Sequence, residues 1–101
     1  MKMYHATSYE NLYSILDKGL ITNNIEGLVY LCEKPEEAVR FPYMHLVRDI
    51  AVFEVVVNKK NIVETFDHSE AFFKCRAFGH KGNIPASNIK NVYRYDMTKW
   101  G

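Results

Sequence analysis

The chain has 101 residues, 48% of them hydrophobic and 25% charged. That excludes a large multidomain enzyme and a disordered chain, and predicts one globular domain over residues 1–101. Lys and Arg number 13 against 12 Asp and Glu, a formal net charge of +1, which exerts no bulk pull toward nucleic acid or an acidic membrane surface.

Residues 3–6 read as a short opening strand. Thr7 and Glu10 then have the spacing of a capping box, with Thr7 as N-cap and Glu10 three residues on. Tyr9, Leu12, Tyr13, Leu16 and Leu20 follow at helical spacing and predict one apolar stripe. Lys18 suits the last turn of that helix, and Gly19 suits its C′ position. Residues 23–27 are loop-like, and the apolar run 28–32 is a strand. Pro35 fits the first position of a second helix, with Glu36 and Glu37 favourable at its positive end. Pro42 is expected to stop or kink that helix.

Residues 50–57 form the strongest strand, rich in β-branched side chains and carrying Phe53. Residues 58–61 read as a turn. Residues 62–66 fit a strand or irregular chain, and 71–78 a further strand. Residues 79–85 are expected to be a loop with two glycines. Residues 87–90 suit a helical turn, and 91–96 close the chain as a strand. The class is α+β rather than a regular βαβ alternation.

Aromatic residues make up 14% of the chain, with seven Tyr and six Phe. They favour a sheet with rings left over to line a pocket. Cys32 and Cys75 lie in apolar runs and read as buried small hydrophobes rather than a disulfide framework. No signal-peptide run or run long enough for a membrane span is visible, so a cytoplasmic protein is expected. So short a chain buries a modest core, and self-association would add stability.

Compact motifs for phosphate loops, zinc proteases or serine hydrolases are missing. His68 and Glu70 could share a metal on one strand face, but no third ligand is evident. His45, near Pro42, reads as a surface or packing residue. His5, Tyr30 and Glu70 are polar or amphipathic groups in apolar surroundings. Taken singly, each reads as packing or as a solvated edge.

Taken in order, the neighbouring segments carry more. Tyr4-His5-Ala6-Thr7, with the helix ending Ile15-Leu16-Asp17-Lys18-Gly19-Leu20, resembles the first motif of the ADP-ribosyltransferase superfamily. Val29-Tyr30-Leu31 before Glu36-Glu37-Ala38 resembles the second. Val52-Phe53-Glu54-Val55 is similar to the next core strand, and Ser69-Glu70-Ala71-Phe72-Phe73 to the third motif. Ile84-Pro85 with the 89–92 segment is similar to the usual ending. The resemblance spans nearly the whole chain. It points to the His-Tyr-Glu branch, the poly-ADP-ribose polymerase type with its small bacterial and phage relatives.

The resemblance implies a split, curved sheet with two or three short helices, gripping NAD in a cleft. In it His5 would bond a ribose hydroxyl of the adenosine half. Tyr30 would stack on the nicotinamide ring, and Glu70 would hold the nicotinamide ribose. Thr7, Ser8, Lys74 and Arg76 are candidate donors to the diphosphate, the last two also reading as the solvent face of an edge strand. Ala6 stands where the family usually has Gly, and Ala71 where an aromatic is common. The sequence therefore leaves three readings open. The chain is an NAD-dependent ADP-ribosyltransferase or NAD glycohydrolase; or it sequesters an NAD-derived or cyclic nucleotide without turnover; or it is an interaction domain using Tyr93, Tyr95 and Trp100.

Overall fold

The fold is taken from a computed structural model that describes residues 1–22, 27–65 and 77–98. Over those residues it is α+β, with short helices and two three-stranded antiparallel sheets. β1 (Lys2–Ser8) runs into a 3-10 turn (Tyr9–Asn11) and α1 (Leu12–Lys18). β2 (Leu28–Leu31) leads to α2 (Pro35–Ala38) and α3 (Arg40–Met44). β3 (Asp49–Val56), β4 (Ile62–Thr65), β5 (Ala77–Lys81) and β6 (Ile89–Asp96) complete the described strands. One sheet has the order β1-β3-β6 and the other β2-β5-β4.

From Ile50 to Val55 β3 is apolar at every position but Glu54, because both its faces are covered over that span. On one face Ala51, Phe53 and Val55 join Met3, Leu12, Leu31 and Ile84 in the larger core. On the other, Ile50 and Val52 pack against Cys32, Ala38 and Val39 at the α2–α3 corner. Phe53 is completely buried, a contribution of roughly 1.5–3 kcal/mol.

Among the described residues, one isolated backbone bridge links the strands of the two sheets. Tyr4 N donates to Cys32 O at 2.9 Å, and Cys32 N donates to Tyr4 O at 2.8 Å. Continuing that register would set Ala6 opposite Tyr30 and Ser8 opposite Leu28. No such pairing forms, so the two strands part beyond Tyr4 and leave a cleft between the sheets. The far end of α1 is tied down separately. Leu20 and Ile84 exchange two backbone hydrogen bonds, each 2.8 Å. Gly19 makes that approach possible. Its φ is +82°, and a Cβ there would sit 2.3 Å from the Ile84 carbonyl oxygen.

Several sequence expectations are corrected. The capping box does not form, because Thr7 stays in β1 paired with Ala51, and its Oγ1 accepts from Asn11 Nδ2 at 3.1 Å. Of the expected stripe, Leu12 and Leu20 are buried, with Ile15 packed beside them, while Tyr13 and Leu16 are exposed. The intervening 3-10 turn advances three residues per turn, so a stripe counted at 3.6 from Tyr9 falls out of phase. The helix begun at Pro35 does break, at Val39, beside the Ala38 carbonyl that Pro42 has no N–H to bond; Pro42 itself lies in the first turn of α3. Gly79 belongs to β5, paired with Tyr30 and Val63, rather than to a loop. The Leu28 side chain fills the space above it, with Cδ1 2.9 Å from where a Cβ would stand. Of the strand expected over 71–78, only Ala77 and Phe78 fall among the described residues, both in β5.

Candidate functional site

The cleft between the sheets brings His5 and Tyr30 together. His5 sits on β1 one residue past the bridge, and Tyr30 sits in the middle of β2. Tyr30 is 40% exposed, whereas its neighbours Val29 and Leu31 are buried. Strand alternation thus turns it out of the core. The His5 Nδ1 lies 2.8 Å from the Tyr30 carbonyl oxygen. A carbonyl only accepts, so Nδ1 carries the proton. Burial holds the His5 imidazole below its ordinary pKa, and the bond to the Tyr30 carbonyl offsets part of that effect. The ring is therefore neutral at pH 7, with a lone pair on Nε2 that no described residue engages.

Two cavities open on either side of this contact. One, of about 380 Å³, is lined by Tyr4, Cys32, Phe41 and Pro42 together with His45. The other, of about 420 Å³, is lined by Asn11, Ser14, Leu20 and Leu28. His5, Thr7 and Tyr30 line both. They are two arms of one cleft, and each is within the ~300–1,000 Å³ range of small-molecule sites. The first arm is mostly apolar and aromatic. The second carries hydroxyl and amide groups from the 3-10 turn and α1. Ala6 and Ser8 also line the first arm.

Of the residues singled out from sequence, His5, Tyr30, Thr7 and Ser8 meet in this cleft. Glu70, Lys74 and Arg76 lie outside the described residues, as do His68, Cys75 and Trp100. Among the described residues no group of three His, Cys, Asp or Glu is placed to hold a metal ion, and no helix is long and apolar enough to cross a membrane. Cys32 is buried.

Sequence reasoning missed Glu54. It is 5% exposed, on the face of the first sheet opposite His5. Its carboxylate accepts from Asn91 Nδ2 at 2.7 Å and from the Tyr4 hydroxyl at 3.1 Å, with Lys2 Nζ at 3.8 Å. The Asn91 bond above all, then the Tyr4 hydroxyl and Lys2, hold it below the usual carboxylate range against the cost of burial. Burial, and then the bond to Glu54, push the Tyr4 phenol up. Tyr4 lines the first arm, so Glu54 fixes one of its walls. The signal in the sequence was a lone acid within the apolar run 50–57. Phe41 and Asn11 were missed too, because only the fold brings them to the cleft.

A third cavity, of about 460 Å³, is lined by Val39, Arg40, Tyr43, Tyr95 and Met97 and shares no residue with the cleft. Compared with known proteins, the chain matches no family model and no curated protein sequence.

Proposed function

We propose that the chain, acting in the cytoplasm, binds NAD in the cleft between its sheets and breaks the bond between nicotinamide and ribose. The ADP-ribosyl group passes to an acceptor or to water. The observation that carries this reading is the meeting of His5 and Tyr30 at the junction of two cavities, with the imidazole neutral and Nε2 presented as an acceptor.

The chemistry follows from those groups. Nε2 accepts a hydrogen bond from a ribose hydroxyl. The Tyr30 ring offers a flat face to the cationic pyridinium, an attraction of about 0.5–2 kcal/mol. When the glycosidic bond breaks, its electron pair leaves with the nicotinamide nitrogen and discharges the pyridinium. Positive charge then develops on the ribose. A carboxylate beside the sugar stabilises that charge, and Glu70 is assigned this role on the family resemblance. The acceptor's lone pair closes on the anomeric carbon, and the acceptor loses its proton.

A non-catalytic binder of NAD or a related nucleotide is the second reading. Ala6, which lines the first arm where the family usually has Gly, favours it. The test is incubation with NAD followed by mass spectrometry of nucleotide and protein. Free nicotinamide, lost in Glu70→Gln while NAD binding persists, supports the enzyme. NAD bound and recovered intact supports the binder. No binding refutes both.

A further inference from the structure

From sequence alone His45 reads as a surface or packing residue. The fold sets it on the wall of the first arm, the cavity that His5, Thr7 and Tyr30 also line. It follows α3 as the C-cap, in a turn wound around Pro42. The Pro42 carbonyl accepts from both His45 N and Val47 N at 3.0 Å, and Tyr43 O accepts from Leu46 N at 3.1 Å. So tight a turn holds Leu46 at φ +66°, the one positive φ at a non-glycine residue among those described. A left-handed backbone is costly for a residue with a Cβ, and strain of this kind collects at functional sites. Leu46 is turned out, 78% exposed, while His45 and Val47 on either side of it line the arm. No described residue bonds the exposed His45 ring. Arg48, the charged neighbour on the turn, is held to Tyr43 O at 3.0 Å and lies over the Tyr43 ring.

We infer that His45 is a general base, taking the proton from a hydroxyl acceptor (water or an alcohol) that enters by the first arm. This rests on the reading of the cleft as an NAD-cleaving site. In that reading the acceptor loses a proton as its oxygen closes on the anomeric carbon. His5 cannot take it. Its Nδ1 already carries a proton, held on the Tyr30 carbonyl, and its Nε2 lone pair receives the ribose hydroxyl. On the other arm Asn11 and Ser14 offer amide and hydroxyl groups, which take up no proton at neutral pH. A neutral imidazole does. The step balances. An oxygen lone pair forms the new C–O bond, the C–N pair leaves with the nicotinamide nitrogen, and the O–H proton passes to a ring nitrogen of His45. The exposed ring then releases that proton to solvent. Hydroxyl groups are the acceptors so served, since a carboxylate arrives without a proton and needs no base.

Nicotinamide release from NAD by the full chain, with water as the acceptor, is the test. His45→Ala should lower kcat about a hundredfold, at the low end of the ~10²–10⁴-fold reach of a positioned base, and leave KM nearly unchanged. Circular dichroism should show the fold intact, since the ring is exposed and unbonded. Added imidazole should restore part of kcat in His45→Ala and do nothing for the unaltered chain, a rescue that a structural role would not permit. The kcat of the unaltered chain should fall toward acid pH, and that of His45→Ala should not. Tyr4, His5 and Tyr30 are the other titratable side chains facing this arm. Protonating His5 weakens binding and so acts on KM, while phenols keep their protons throughout the acid range. NAD cleaved by His45→Ala at the unaltered kcat, or a loss that imidazole does not relieve, overturns this inference and leaves the proposed function standing. NAD bound but never cleaved by the unaltered chain refutes the enzymatic reading, and this inference with it.

Discussion

Replacing Gly19 by Ala tests the way the cleft's second arm is closed. Two costs add. The backbone there has φ +82°, which disfavours any residue with a Cβ by about 1–2 kcal/mol. The new Cβ would also meet backbone atoms, at 2.3 Å from Ile84 O and 2.8 Å from Ala86 N. Backbone cannot swing aside as a side chain can, so the two Leu20–Ile84 hydrogen bonds must lengthen or break. At about 0.5–1.5 kcal/mol each, they bring the total to about 2–5 kcal/mol. Gly82 is the control. It has the same φ of +82°, but a Cβ there meets no described atom within 4 Å. Gly82→Ala is therefore expected to cost only the ~1–2 kcal/mol of conformation. Urea unfolding of both variants measures the difference. Equal losses at the two positions would refute the close approach of α1's end to Ile84.

Two predictions concern titrating groups. The His5 pKa is lowered in the folded chain, and the proposed bond from a ribose hydroxyl needs its neutral ring. NAD affinity should be level from about pH 8 to about 6.5 and fall only below that. A decline centred at or above an ordinary imidazole pKa, followed by calorimetry across that range, would contradict the assignment. Glu54 has its pKa lowered on folding. Its contribution to stability is therefore full above the unfolded carboxylate pKa of about 4.3, and is lost as pH falls through the lower folded value. Glu54→Gln should reduce the acid loss of stability relative to the unaltered chain. Identical acid unfolding curves would count against it.

Much of the fold was legible because single residues carried strong local constraints. Gly19 marked the end of α1, Pro35 the start of α2, and the β-branched run 50–57 the central strand. What misled was coupling between elements. Thr7 looked like a cap but is held in β1 by pairing with Ala51. Tyr13 and Leu16 looked inward until the 3-10 turn shifted the helix phase. Gly79 looked like a loop residue, yet Leu28 covers it within a strand. At the site, His5 and Tyr30 could be picked out as polar groups in apolar strands. Their meeting could not, since it depends on where β1 and β2 part. Glu54 was hidden for a similar reason. Its partners Tyr4 and Asn91 are 50 and 37 residues away in sequence.

The most direct test is calorimetric titration of the chain with NAD. Saturable one-site binding is expected, weakened about tenfold or more by His5→Ala and by Tyr30→Ala, each of which removes one hydrogen bond or one ring face. Absence of binding, or binding unchanged in both variants, would show that the cleft between the sheets is not where the dinucleotide is held.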